Sequence, residues 1–174
     1  MSATTKEILE FLGQQNFVKF SNTDDFTQLS SSVRKFLKET GVYSSKNTYP
    51  PVVTHGNLKQ FSGDLVQFGE SDILSEKDKY CIDTSQNERI VFFNVRTKEI
   101  KVVNSSLKKF LECRYTMAYY YKEKAKEKYG PYYQNMNYLK YAKKLRSMLD
   151  AVEPGIEKYN TWENELFSKE LGVI

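Results

Sequence analysis

The chain predicts an α+β fold, a central antiparallel sheet of about four or more strands flanked by N-terminal and C-terminal helices. Three observations carry that expectation. Apolar stripes at helical spacing occupy both ends of the chain, and short apolar runs cut by polar turns fill its middle. Nowhere do strand-like and helix-like runs alternate as parallel βαβ units require. At 174 residues one domain spanning 1–174 is expected. Area scaling at that length buries about 70% of the unfolded surface, so a core is available without staples.

The first helix is expected from Thr4 or Thr5 to about Gln15. Thr4 and Glu7 stand at capping-box spacing, each able to satisfy an orphan donor of the first turn. Ile8, Leu9 and Leu12 follow on one face. A second helix fits Thr27 to Thr40, with Leu29, Val33, Phe36 and Leu37 in one stripe and Gly41 where a left-handed residue is wanted. Val42 to Asn57 holds Ser44, Ser45, Asn47, Pro50-Pro51 and His55-Gly56, which is loop chemistry.

Strands are expected at Leu58–Phe68, Lys79–Asp83, Arg89–Val95 and Glu99–Val103. Within Lys79–Asp83, Tyr80 and Ile82 face one side and Cys81 the other. The run Ile90-Val91-Phe92-Phe93 makes the third of these the best central strand. Asn104-Ser105-Ser106 can cap the next helix. That helix carries Leu107, Phe110, Leu111, Arg114, Ala118, Tyr121 and Ala125 on a stripe to about Tyr129, and Gly130-Pro131 breaks it. A fourth helix shows Tyr138, Tyr141, Leu145, Met148 and Val152 on one face before Pro154-Gly155. Asn160 and Glu163 repeat the capping-box spacing and open a last helix bearing Trp162, Leu166 and Phe167 toward Leu171-Gly172.

Enzyme signatures are missing. The 8 glycines are scattered, and neither phosphate-loop pattern nor a nucleophile elbow occurs. The single His, His55, could serve as a general base, but its Gly-flanked loop suits a solvated turn residue better. Cys81 and Cys113 lack metal-ligand spacing. A cation beside Cys113 could lower its pKa, though two small buried hydrophobes is the plainer reading. No metal, no cofactor and no catalysis are expected.

Charge is distributed unevenly. The net value is only +4, too small to announce a nucleic-acid binder. From Asp64 to Glu88, however, seven acidic residues oppose two lysines, whereas from Lys108 to Arg146 eleven basic residues oppose three glutamates. The basic part also holds nine of the 13 tyrosines. Aromatics interleaved with cations can stack on single-stranded nucleic acid, and Tyr equally favours protein interfaces. The plainer reading is helix packing with a solvated lysine face. No basic leader and no long apolar run appear, so a cytoplasmic protein with no membrane partner is expected.

Three segments, taken in order, resemble the SUKH superfamily, family 4 most closely. Val33-Arg34-Lys35-Phe36-Leu37-Lys38-Glu39-Thr40-Gly41-Val42 is similar to its opening helix-to-Gly segment. Tyr80-Cys81-Ile82-Asp83, the strand from Arg89 to Val95, and Val102-Val103-Asn104-Ser105-Ser106-Leu107-Lys108-Lys109-Phe110-Leu111 resemble its central signature. Val152-Glu153-Pro154-Gly155 with Thr161-Trp162 and Leu166 resembles its closing turn and Trp-bearing helix. The likeness covers about residues 29–172. The chain departs in having Gly41-Val42-Tyr43 where the family has Gly-Leu-Pro, and no Gly in the turn Thr84-Ser85-Gln86-Asn87.

The resemblance implies one α+β domain and a non-catalytic immunity protein. Its partner would be a cognate toxin domain of a bacterial polymorphic system, often a nuclease or other nucleic-acid-targeting enzyme. It implies no catalytic residue. Gly41, Asp83, Asn104, Ser106, Leu107, Phe110 and Trp162 would be structural signature positions. For the partner surface, Glu70, Asp72, Glu76 and Asp78 could mimic phosphates and fill a basic cleft. The competing surface is the Tyr/Lys face around Tyr132 and Tyr133. A nucleic-acid-binding or regulatory scaffold using that basic face directly is the alternative function.

Overall fold

The computed structural model describes residues 3–71, 77–126, 138–159, 161–164 and 166. The expected helix break at Gly130-Pro131, the Asn160 half of the second capping box and the stretch from Phe167 to Gly172 lie outside the described residues.

Helix α1 is Thr5–Leu12 and its capping box forms as expected. Glu7 N–H donates to Thr4 Oγ1 at 3.3 Å and Thr4 N–H donates back to the Glu7 carboxylate at 2.7 Å. The helix stops three residues short of Gln15 because Gly13 takes φ +81 and a 3₁₀ turn follows at Gln14–Asn16. Helix α2 is Ser31–Glu39, shorter than the expected Thr27–Thr40. Ser30 supplies the N-cap, its Oγ accepting from Val33 N–H at 3.3 Å.

Gly41 ends α2 in the left-handed region at φ +82, with its N–H donating to Phe36 O at 2.9 Å. A Cβ there would stand 2.4 Å from the Val18 carbonyl oxygen, so only glycine fits. This close approach lets two short strands pair, β1 (Phe17–Val18) with β2 (Val42–Tyr43). Val42–Tyr43 lies in the stretch expected to be loop, since two residues carry no usable alternation.

The main sheet has five antiparallel strands in the order β3-β4-β5-β6-β7. They are β3 (Lys59–Ser62), β4 (Leu65–Glu70), β5 (Lys79–Asp83), β6 (Arg89–Phe93) and β7 (Ile100–Asn104). The expected single strand Leu58–Phe68 is thus a hairpin turning at Gly63-Asp64. The middle strand is β5, not the more apolar β6. The turn before β6 has no glycine because Asn87 (φ 54) and Glu88 (φ 58) take the left-handed conformation themselves.

Helix α3 (Leu107–Lys126) opens on Ser106, whose Oγ accepts from Lys109 N–H at 3.3 Å. Its buried face is Leu107, Phe110, Cys113, Arg114, Met117 and Tyr120. The expected stripe drifted late in the helix: Tyr121 is exposed and Tyr120 buried. Helix α4 (Tyr138–Val152) packs on α3 through Ala142, Leu145, Leu149 and Val152. A 3₁₀ turn (Ile156–Lys158) and a helical segment at 161–164 follow.

The largest core cluster joins sheet and helices from Phe20 to Leu166. Phe110 of α3 stands 6.0 Å from Phe68 and 5.9 Å from Tyr80, ring to ring, and so sets the helix on the sheet's inner face. Cys81, Leu65 and Val91 form a small cluster on the other face with Phe61 and Phe93, as the period-two alternation requires.

Candidate functional site

Two of the signature residues, Asn104 and Trp162, meet in one buried knot. Glu153, 4% exposed, follows α4, and its Oε2 accepts from Asn104 Nδ2 (3.2 Å), Ser105 N–H (3.0 Å) and Ser105 Oγ (3.1 Å). Trp162, fully buried, donates its Nε1–H to Val103 O at 2.9 Å and to Asn104 Oδ1 at 3.1 Å. Tyr49 packs edge-on to the Trp162 ring at 5.8 Å and donates its hydroxyl to Thr161 O at 2.6 Å. The end of β7, the start of α3, the end of α4 and the last helical segment are thereby locked together. Leu107 and Phe110 fill the core beside the knot. Asp83 stands apart and closes the β5–β6 turn, accepting from Ser85 Oγ (2.7 Å) and Arg89 Nε (3.0 Å). These side chains are engaged in contacts within the fold.

Of the acidic residues, Asp72 and Glu76 lie outside the described residues. Asp78 is 5% exposed, accepting from Val95 N–H at 2.8 Å and from Asn94 Nδ2 at 3.3 Å, which pins the β6–β7 turn. Glu70 is paired to Lys79 across β4 and β5 at 2.8 Å, with His55 Nε2 at 3.6 Å. Both carboxylates are therefore occupied in holding strands and turns, so the free acidic surface is narrower than charge counting suggests.

Tyr132 and Tyr133 lie outside the described residues as well. Among the tyrosines that are described, Tyr115 and Tyr119 form a ladder with Phe11 of α1, with ring centroids 5.2 and 5.6 Å from Phe11. Lys122 sits over the Phe11 ring at 4.5 Å. Burial, with Tyr119 and Glu7 nearby, raises the Tyr115 pKa. The ladder borders a groove of about 550 Å³ between α1, α3 and α4, lined by Glu7, Tyr115, Tyr119, Met148 and Val152 among others. Sequence reasoning missed it, because no local spacing shows that α1 folds back onto α3. Lys140, Lys143 and Lys144 are exposed on α4.

Both thiols are buried and free. Burial pushes the Cys81 thiol up to about 12 and raises Cys113 strongly as well. Arg114 does not lower Cys113. Its guanidinium turns away to the Tyr43 and Ser45 carbonyls, 4.9 Å over the Tyr43 ring, and burial brings its own pKa down to about 10. Both sulfurs are thus protonated at neutral pH and chemically quiet.

The chain is an α+β protein with its helices laid on an antiparallel sheet. No helix among the described residues is long and apolar enough to cross a membrane. No family model, no curated protein and no solved structure matches it.

Proposed function

We propose that this chain is a non-catalytic immunity protein of the SUKH kind, acting in the cytoplasm of the cell that makes it. It binds a cognate polymorphic-toxin domain and blocks it stoichiometrically. The toxin class is a nuclease or another enzyme acting on nucleic acid. The observation that supports this reading is the knot itself. The Asn104-Ser105 and Glu153 to Trp162 segments, which carry the resemblance, meet through direct hydrogen bonds although 49 residues separate Asn104 from Glu153. Signature positions spent on the fold leave the surfaces free to differ from member to member and so match different partners. The α1/α3/α4 groove offers one such surface, with Tyr119 and Met148 as its anchors.

The test is co-expression with the toxin domain encoded beside it. Rescue of growth and a stoichiometric complex on size exclusion are expected, with Tyr119→Ala weakening both. Reversing Asp72 and Glu76 together separates the groove from the acidic stretch, since only the second surface would lose salt-dependent affinity. Failure of both rescue and complex formation sinks the reading. The alternative, a nucleic-acid-binding or regulatory module, is favoured by the exposed lysines of α4 and predicts salt-dependent binding of a generic oligonucleotide.

A further inference from the structure

The two edges of the main sheet are built differently. At β3 the register shifts between Gln60 and Ser62, and Lys59, Gln60 and Ser62 all expose polar side chains. A bulge together with lysine and polar groups is how folded proteins blunt an edge strand against further pairing. In β7 the register shift falls beyond Val102, so the first half of the strand is regular. There Ile100 is 51% exposed, the most exposed large hydrophobic side chain among the described residues. Its register partner is Phe93, whose ring belongs to the cluster on the sheet's outer face.

The backbone of β7 is open at the same place. Glu99 O accepts from Asn94 N–H at 2.9 Å, toward β6. Across a trans peptide the N–H points opposite to the preceding carbonyl. Ile100 N–H is therefore directed away from β6, and its own carbonyl follows it, as the alternation of an antiparallel ladder requires. Trp162 limits the opening, since its Nε1–H donates to Val103 O at 2.9 Å.

Charge names the strand that fits. Glu99 and Lys101 flank Ile100 on the opposite face, 3.8 Å apart, with side chains 60% and 41% exposed. A second copy laid antiparallel, Ile100 opposite Ile100, sets each Glu99 directly across from a Lys101 of the other chain. Opposite charges so placed stabilise a strand pair, and like charges oppose it. Centring the register on Lys101 would bring two lysines face to face. The run Glu99-Ile100-Lys101 is thus self-complementary about Ile100. In that register the two Ile100 residues exchange both N–H···O=C bonds, and Phe93 and Ile100 continue into their counterparts as one apolar row.

We propose that β7 pairs with β7 of a second copy across a two-fold axis at Ile100, joining the two sheets into one. The ladder is short, so the dimer is weak, at the low end of interface sizes. The proposal is independent of the toxin-binding reading, because the isolated chain tests it.

Sedimentation velocity of the natural chain should show the average mass rising with concentration toward twice that of one chain. Glu99→Lys and Lys101→Glu should each remove the rise, since each sets like charges across the axis. Ile100→Asp should remove it too. Mixed in equal amounts, the Glu99→Lys and Lys101→Glu chains should associate again, because each carries the charges the other lacks; misfolding cannot imitate that recovery. The Ile100 amide should exchange quickly in dilute protein and more slowly as concentration rises. A natural chain that keeps the mass of one copy throughout overturns the proposal and leaves the edge to a strand of another protein. An Ile100 amide already protected when dilute overturns it as well, by showing that the chain covers its own edge. So does a mixture of the two charge variants that stays monomeric.

Discussion

Glu153 concentrates more of the fold on one atom than any other described residue. Its Oε2 takes three hydrogen bonds from Asn104 and Ser105. Glu153→Ala orphans the Ser105 N–H and leaves the Asn104 amide only its 3.4 Å contact to Cys113 Sγ, at a site where water has little access. Each such donor is worth about 1–3 kcal/mol, so the substitution should cost about 2–4 kcal/mol in urea denaturation. Glu153→Gln keeps an acceptor and should cost less than half as much. An alanine variant within about 0.5 kcal/mol of the natural chain would show that the knot is not structural. At this scale the sequence was half legible. Asn104, Ser106 and Trp162 stood out by cap chemistry and resemblance. That Glu153 joins them was not legible, because 49 residues separate it from Asn104 and no local periodicity encodes a long-range pair.

Among the elements, those whose signals are local matched expectation. The Thr4 capping box, the Gly41 stop and the strand Lys79–Asp83 each depend on a few neighbouring residues. The hairpin β3–β4 was misread as one strand because Gly63-Asp64 is too brief to interrupt an apolar count. The β1–β2 pair depends on a tertiary contact, the approach of Gly41 to Val18. Gly41→Ala tests that contact. With φ +82 and a Cβ 2.4 Å from a carbonyl oxygen, strain and steric displacement together should cost about 2–4 kcal/mol, read as a fall in denaturation midpoint.

The Glu70–Lys79 pair across β4 and β5 carries a pH signature. Burial raises the Glu70 pKa, but Lys79 at 2.8 Å, helped by Lys77 and His55, outweighs it and holds the carboxyl below its ordinary value of 4.5. The folded state therefore binds fewer protons than the unfolded state there, and stability rises with pH. The advantage over Glu70→Gln should be full above about pH 5 and shrink as pH falls through 4.5 and below. An advantage that stays constant across that range would mean the pair contributes nothing to folding.

For the whole molecule, net charge is a poor guide to partners, because an acidic strand region and a basic helical region partly cancel. Structure sharpens the comparison by showing which charges are free. Glu70 and Asp78 are tied up within the sheet, while Lys140, Lys143 and Lys144 stand exposed along α4. Stacking needs open ring faces beside cations. Yet Tyr119 leans on Phe11 and Tyr115, and Tyr121 meets Tyr120 edge-on. Among these described tyrosines the platform for bases is therefore small, and phosphate contact by the α4 lysines is the part of the reading the described residues offer. Three lysines on single-stranded oligonucleotide give a slope of about −2 in log affinity against log salt, roughly a twentyfold loss between 50 and 200 mM. A fluorescence titration of the full chain should find that shallow slope, with binding too weak to saturate near physiological salt. Reversing the three α4 lysines together should abolish it while leaving rescue from a toxin intact. A slope steeper than about −5 needs some seven phosphate contacts, more than these three lysines supply. That result would draw in cations beyond α4 and put the nucleic-acid reading ahead of the immunity one.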